Sequence, residues 1–294
     1  MIKISVIVTT YNRPEALALV LLALAAQENG ENRFNKHFEV IIADDGSTSD
    51  TAKLINQLQS QLPYPLQHIW QPDNGFRAAM ARNRAIAAAN GNYLIFLDGD
   101  SIPQTDFIVK HSKLAEKGWF VAGNRILLSK RFTNELTEKF ADAFQSGQNI
   151  TLPSQQKLTE IWTWGTIQWL LRYLRRDINR LLPLLRLPDN PLRKRARRQW
   201  QGAKTCNLAA WRENLLKING FDERFQGWGH EDADLVVRLL HSGIGRKEGR
   251  FAVPVLHLWH PEADRRQEPQ NRQRLEQMLN STTTVAEQGV QQYL

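Results

Sequence analysis

Short apolar runs alternate with longer segments of helical character through the first hundred residues, and this alternation limits the fold more than any other feature. Runs of about five apolar residues, rich in branched and aromatic side chains and bounded by polar residues, are typical of buried strands. They occur at Ile4–Val8, Phe38–Ala43, Leu66–Trp70 and Tyr93–Leu97. Because helices are predicted between these strands, the pattern indicates an α/β fold, with a mostly parallel central sheet flanked by helices and right-handed crossovers.

The remaining elements are predicted from the same periodicities and from the residues that begin and end helices. Helices are expected from Arg13, from Ser49 or Asp50 through Leu58, over Ala78–Ala89, Phe107–Lys117 and Glu135–Phe144, and from about Leu235 through Leu240. Strands are expected at Trp119–Gly123 and Phe251–Leu256, and a loop at Gln145–Asn149.

Three of the predicted strands end in polar residues: Thr9–Asn12, Asp44–Asp45 and Asp98–Asp100. The carboxyl ends of parallel strands share one edge of a sheet, where ligands bind in open α/β folds. Asp98 and Asp100 repel each other, and a divalent cation that bridges to a phosphate would relieve this repulsion. Gly99 permits the tight backbone that such a site needs. A surface turn is the alternative, because Asp-Gly is also a common turn dipeptide.

A second acidic cluster, Glu231, Asp232 and Asp234, lies at the start of the helix predicted from about Leu235. Acids are favourable there because the amino end of a helix carries partial positive charge, so helix capping is one interpretation. The sequence Gly-Trp-Gly just before them would expose the Trp228 indole as a platform of the size of a sugar. A carboxylate beside it could accept a proton from a hydroxyl nucleophile. The spacing alone does not choose between capping and catalysis.

Two histidines, His257 and His260, follow the strand predicted at Phe251–Leu256. Either imidazole could complete a metal site begun by Asp98 and Asp100, and a mixed set of carboxylate and imidazole ligands favours Mn²⁺ over Ca²⁺. Ordinary packing is the alternative for an isolated histidine pair.

The 294 residues, 42% of them apolar, suffice for one large α/β domain or two small ones. The single cysteine, Cys206, excludes an intramolecular disulfide and a cysteine zinc cluster.

No glycine-rich dinucleotide fingerprint or P-loop follows the first strand, which argues against nicotinamide-dependent hydride transfer. The amino terminus has the character of a strand and not of a signal peptide, and the apolar run Ala16–Ala26 is too short to span a bilayer.

The net charge of +8 is concentrated in one segment. Residues 172–198 contain ten basic and two acidic residues, interleaved with leucines and preceded by Trp162, Trp164 and Trp169. Pro183, Pro188 and Pro191 should divide residues 161–198 into more than one helix. A basic amphipathic segment with tryptophans suits an anionic membrane surface, whereas the alternative is a solvated insert that packs its leucines on the domain. Nucleic acid is not expected, because no nucleic-acid-binding module accompanies the segment.

Taken together, these motifs resemble the family 2 glycosyltransferases with a GT-A fold. The matching segments, in order, are Val6–Arg13, Ala43–Ser47, Ala81–Asn83 and Leu97–Asp100. The second half resembles the carboxyl-terminal part of metal-dependent galactosyl- and N-acetylgalactosaminyltransferases, including chondroitin-polymerase-like enzymes, at Asn219–Glu223 and Trp228–Asp232. It departs from that group at His230, where glycine is frequent, and at Ala233, where another acid is frequent. Residues 135–199 carry none of the motifs on which this resemblance rests.

The resemblance implies roles for individual residues. Those expected to bind the nucleotide-sugar are Thr9, Tyr11, Arg13, Asp44, Asp45, Arg77, Arg82, Asp98, Gly99 and Trp228. Those expected to bind Mn²⁺ or Mg²⁺ are Asp98, Asp100 and His257 or His260. Asp232 would be the general base and Glu231 would orient the acceptor.

We expect four regions: a nucleotide-sugar-binding half (1–130), a helical basic insert (131–200), an acceptor and catalytic half of the same domain (201–265) and a carboxyl-terminal helix or tail (266–294). The expected enzyme is metal-dependent and inverting, and it transfers sugar from a UDP-sugar to a glycan or lipid-linked acceptor in cell-surface polysaccharide or lipopolysaccharide synthesis. The expected location is the cytoplasm, with a peripheral position on the inner face of the plasma membrane as the alternative. The alternatives are a sugar nucleotidyltransferase and a non-catalytic glycan- or membrane-binding module.

Overall fold

The computed structural model describes residues 2–29, 32–33, 38–145, 161, 164–181 and 184–294. The strands are β1 (Ile4–Thr10), β2 (Glu28–Asn29), β3 (Asn32–Arg33), β4 (Phe38–Asp44), β5 (Leu66–Trp70), β6 (Tyr93–Asp98), β7 (Ser101–Pro103), β8 (Trp119–Ala122), β9 (Asn124–Leu127), β10 (Asn207–Trp211), β11 (Gly245–Glu248) and β12 (Pro254–His257). The α-helices are α1 (Pro14–Ala25), α2 (Ser49–Gln59), α3 (Ala78–Ala88), α4 (Phe107–Leu114), α5 (Lys130–Gln145), α6 (Thr166–Leu174), α7 (Arg212–Lys217), α8 (Glu231–His241) and α9 (Glu268–Leu279).

The apolar runs of the amino-terminal half form the centre of a seven-stranded sheet with the order β11-β8-β10-β6-β1-β4-β5. The pairs β6–β1, β1–β4, β4–β5 and β11–β8 are parallel, whereas β10 is antiparallel to both of its neighbours. The prediction of a mostly parallel sheet is therefore confirmed. Strand β10 joins the carboxyl-terminal half of the chain to the same sheet.

Successive residues of β1 face opposite sides of the sheet and enter two separate apolar layers. Val6 and Val8 pack with the buried residues of α1, α2 and α4. Ile7 packs on the other side with those of α3, α7 and α8. This arrangement of helices on both faces places the loops at the strand ends along an open edge.

A small three-stranded sheet, in the order β7-β12-β9, lies next to that edge. Strand β12 pairs with β7 in a register that sets His257 opposite Ser101. Because Ser101 directly follows the acidic turn at residues 98–100, this register brings the predicted histidine to that turn.

Several predicted boundaries are corrected by the structure. Helix α8 begins at Glu231 and not near Leu235, so the acidic residues occupy its first turn. The strand predicted at Phe251–Leu256 is β12 (Pro254–His257), because Phe251 adopts a left-handed φ of 64° in a preceding turn. Helix α4 ends at Leu114, three residues before Lys117, since Ala115 is extended.

The predicted helix Glu135–Phe144 lies within α5. The loop predicted at Gln145–Asn149 lies outside the described residues, except for Gln145 at the end of that helix.

The basic segment contains more than one helix, as predicted: α6 and a 3₁₀ helix at Pro191–Lys194. Helix α6 ends at Leu174 because Arg176 adopts a left-handed φ of 58°, and not because of a proline. Trp162, Leu182 and Pro183 lie outside the described residues. The buried Arg193 fastens the segment to the domain, because its guanidinium donates to the carbonyl oxygens of Glu248 and Arg250 at 2.8 and 2.6 Å. Within the described part of the chain, none of the helices has the length and apolar character needed to cross a membrane.

Candidate active site

The polar ends of β1, β4 and β6 meet at one edge of the main sheet. In the strand register, Thr10 lies opposite Asp44 and Thr9 lies opposite Asp98. The backbone N–H of Gly99 donates to the Thr9 carbonyl at 2.7 Å, and a β-carbon on Gly99 would lie 2.9 Å from that oxygen. The close approach of the two loops therefore requires glycine at this position.

Three positively polarised side chains surround the carboxylate of Asp100, just beyond this turn. Its Oδ1 lies 3.0 Å from His257 Nδ1, and its Oδ2 lies 3.5 Å from His260 Nε2 and 2.5 Å from Arg13 Nη1. Burial acts to raise the pKa of Asp100, but its hydrogen bond with His257 and the charges of His257 and Arg13 outweigh burial and lower this pKa. Asp100 is therefore held in its ionised form.

Asp100, His257 and His260 form a group whose potential ligand atoms all lie within 4.8 Å of one another. One carboxylate with two imidazoles is a donor set that suits Mn²⁺ and other first-row divalent ions, so these residues fit the metal that the sequence predicted. Asp98, also predicted as a ligand, is not in this group, because its Oδ1 lies 3.4 Å from Arg82 Nη2.

Arg82 connects the two halves of the site. Its Nε donates to Thr9 Oγ1 at 3.0 Å, and its Nη1 donates to Glu231 Oε1 at 3.2 Å and lies 3.7 Å from Asp232 Oδ1. The side chain is 6% exposed. Although burial disfavours a charged guanidinium, the charges of Asp232, Asp98 and Glu231 raise the pKa of Arg82 further above its ordinary value. The buried and permanently charged Arg82 thus holds the acids of α8 close to the end of β6.

Both carboxylate oxygens of Asp232 accept hydrogen bonds from Thr205, a residue that was not predicted from the sequence. The hydroxyl of Thr205 donates to Asp232 Oδ1, and the Thr205 backbone N–H donates to Oδ2 at 3.2 Å. The Asp232 side chain keeps 24% exposure, so it faces the crevice while its orientation is fixed. Thr205 lies just before β10, and no sequence pattern could have connected it with an acid 27 residues away.

Glu231 lies deeper than Asp232, with a side chain that is 10% exposed. Burial raises its pKa to about 7, and the neighbouring charge of Asp232 raises it as well. Burial also raises the pKa of Asp98. The site therefore contains two carboxyl groups with raised pKa values, Glu231 and Asp98, and one with a lowered pKa, Asp100.

Asp234 has a structural role. It forms a buried ion pair with Arg238, at 2.6 Å from Nη2, and this guanidinium also donates to the carbonyl oxygens of Ile218 and Gly220.

The residues predicted to hold the nucleotide line the other end of the edge. Asp44 is buried, and its carboxylate accepts hydrogen bonds from the Ser47 N–H and from His68 at 2.8 Å each. Asp45 accepts from the Arg77 N–H and from Gln71, both at 2.7 Å. Burial raises the pKa of Asp45 to about 6. His68 and Gln71, which hold these acids, were not predicted from sequence.

Two aromatic rings border the crevice, and only that of Tyr11 is exposed, because the Trp228 indole that was expected to be exposed is partly buried. Tyr11 is 47% exposed, and its hydroxyl donates to Asp73 Oδ2 at 2.9 Å. The Trp228 ring lies in the loop before α8, where Gly227 and Gly229 have φ of 73° and 107°, and Arg265 stacks 4.5 Å from its centre. These rings offer flat apolar faces beside the charged groups.

Hyaluronan synthase of Pasteurella multocida is 30% identical over 251 residues, which cover 82% of this chain and 23% of that protein. The chain therefore spans about a quarter of the length of this relative.

Solved structures show the fold. TarS residues 1–349 of S. aureus in complex with UDP matches with a TM-score of 0.58 and 14% identity, over 99% of this chain and 68% of that one. GalNAc-T7 with UDP, GalNAc and Mn²⁺ matches with a TM-score of 0.56 and 14% identity, over 89% and 45% of the two chains. The predicted GT-A fold is thereby confirmed.

Family models cover both halves of the site. The model described as N-terminal domain of galactosyltransferase matches residues 192–258, which contain Asp232 and His257. The model of glycosyl transferase family 2 matches residues 5–180, more than half of the chain. The chain therefore belongs to glycosyl transferase family 2.

Proposed function

We propose that the protein is a metal-dependent, inverting glycosyltransferase that moves a sugar from a UDP-sugar to a hydroxyl of a glycan or lipid-linked acceptor. The observation that carries this proposal is the junction at Arg82, where the strand ends of the donor side meet the acids of α8. The hyaluronan synthase relative supports a role in surface polysaccharide or lipopolysaccharide synthesis, and UDP is bound in the TarS and GalNAc-T7 structures.

Asp100, His257 and His260 would hold Mn²⁺ or Mg²⁺, and Asp98 would contact the ribose or the ion. When bound, the ion would act as a Lewis acid that neutralises the diphosphate leaving group. Arg13 lies against Asp100 and is available to contact the same phosphates, with Arg77 as a second basic group. Thr9, Tyr11, Asp44 and Asp45 would bind the nucleoside, and Trp228 would contact the sugar.

Asp232 is the proposed general base. Its hydrogen bonds with Thr205 aim the carboxylate, which would accept the proton of the acceptor hydroxyl as the oxygen attacks the anomeric carbon. The nucleotide leaves from the opposite face, so a single displacement inverts the configuration. Retention would need a further carboxylate placed as a nucleophile. Glu231, directly before the base on α8, would orient the acceptor.

Asp232→Asn tests this assignment. The substitution keeps the size of the side chain and removes its basicity, so kcat should fall by about 10² to 10⁴. UDP binding, measured by titration calorimetry with Mn²⁺, should be unchanged. The exposed Asp264→Asn is the matched control and should retain full turnover. Normal turnover by Asp232→Asn would remove the base assignment.

Product analysis separates the alternative functions. A glycosyltransferase releases UDP, whereas a sugar nucleotidyltransferase releases pyrophosphate, and a non-catalytic binding module releases neither. Two incubations with Mn²⁺ therefore distinguish them: UDP-sugars with candidate acceptors, analysed for UDP, and UTP with sugar 1-phosphates, analysed for pyrophosphate. Release of pyrophosphate would contradict the proposal.

A further inference from the structure

Helix α6 turns most of its apolar surface outward. Trp169 is its one buried residue, while Ile167 and Leu174 are 72% and 67% exposed. The apolar residues of α6 that are exposed are Ile167, Leu170, Leu171, Tyr173 and Leu174. An exposed patch of this kind marks an interaction site when polar or charged residues border it.

The border of this patch is basic. Arg175, Arg176 and Arg180 follow α6 directly, all three are exposed, and none forms an ion pair with an acid in the described ranges of the chain. The nearby Asp177 is buried and already paired with Arg131 and Arg172. We use the name α6 surface for the five apolar residues above together with Arg175, Arg176 and Arg180.

The α6 surface continues into an apolar cleft of ≈580 Å³. Trp169 and Leu170 of α6 form one wall, and Trp164, Leu181 and Leu184 lie further along it. Lys110 and Arg186 also line the cleft, and Arg186 is paired there with Asp106 at 2.6 Å. The apolar area therefore has depth as well as extent.

We propose that the α6 surface docks on an anionic lipid bilayer, with the apolar side chains entering the interface and the three arginines contacting lipid head groups. Exposed apolar residues on α6 and the cationic residues that follow it match the two components of such a membrane, the acyl region and the negative surface. A second copy of the chain fits less well, because pairing two α6 surfaces would bring six arginines together. This inference is independent of the transfer reaction.

Cosedimentation of the full chain with lipid vesicles is the direct test. Binding is expected to vesicles that contain phosphatidylglycerol and not to pure phosphatidylcholine, and it should weaken as NaCl is raised. Arg175→Gln with Arg176→Gln should weaken binding about thirtyfold, about fivefold for each arginine. Leu170→Ser with Leu174→Ser should weaken it about tenfold.

Matched controls lie on other helices and loops. Lys217→Gln with Arg272→Gln removes the same charge from α7 and α9, and Val285→Ser changes an apolar side chain that is 45% exposed. These variants should bind vesicles as the wild type does, and circular dichroism should show that all variants are folded.

Three outcomes would overturn the proposal. One is binding to neutral and anionic vesicles alike, and another is equal loss of binding in the control and α6 variants. The third is absence of vesicle binding together with a dimer that Leu170→Ser and Leu174→Ser dissociate, which would assign the surface to a second copy. A failed transferase assay would leave the vesicle result unaffected, so the two proposals fail separately.

Discussion

Replacing Glu231 with glutamine should make the protein more stable at pH 8 and should have much less effect at pH 5. Burial and the charge of Asp232 raise the pKa of Glu231 from 4.5 to about 7. The folded state therefore holds a proton that the unfolded chain releases above pH 4.5. Stability is lost as the pH rises through this window, because ionisation favours the unfolded chain.

The size of the effect follows from the shift. A pKa shift of two and a half units lowers the free energy of unfolding by about 3 kcal/mol once Glu231 is ionised in both the folded and the unfolded state. At pH 5 the loss is about 1 kcal/mol. Glutamine does not ionise, and its carbonyl oxygen can still accept from Arg82, so the variant avoids this loss. At pH 8 its melting temperature should rise by about 5 °C.

Thermal unfolding of wild type and variant at both pH values measures this difference. The control is Glu262→Gln. The Glu262 side chain is 77% exposed, so this replacement should change the free energy of unfolding by less than about 1 kcal/mol at either pH. The reasoning is refuted if Glu231→Gln is less stable than wild type at pH 8, or if its gain is the same at pH 5.

Other substitutions test single contacts. Thr205→Val should lower kcat about tenfold at constant donor KM, and Thr205→Ser should restore it, whereas equal kcat in both variants would deny the hydroxyl a positioning role. Asp100→Ala should weaken Mn²⁺-dependent UDP binding about 100-fold in calorimetry, and an unchanged titration would exclude it as a ligand. Gly99→Ala should destabilise the protein by about 1 to 3 kcal/mol in thermal unfolding, because its β-carbon meets the Thr9 carbonyl; full stability would show that the turn can relax.

The sequence predicts those parts of the fold that follow from local hydrophobic pattern. Strands β1, β4 and β6 are continuous apolar runs buried on both faces, so their positions and the shared edge could be inferred. Strand β11 could not, because it contains Arg246 and Lys247. Both are buried, since Arg246 donates to the backbone carbonyls of Gln199 and Gln201, and Lys247 pairs with Glu116 and Asp189.

The site shows the same division between local and distant contacts. The acids of residues 98–100 and of α8 were found because strand ends and helix starts carry recognisable residues. The roles of Arg82 and Thr205 depend on contacts with residues 149 and 27 positions away. A single sequence holds no periodic signal for such distances. The identity of the residues that ligate a metal stays a prediction, with Asp100, His257 and His260 brought together by the fold.

The antiparallel strand β10 has a consequence for how the chain can be divided. It covers the whole edge of β6, from Tyr93 to Leu97, with residues that come more than a hundred positions later. A fragment that stops before residue 201 would leave that apolar edge unpaired, which is a template for intermolecular strand addition. Such a fragment should aggregate even though it retains every strand end on the donor side.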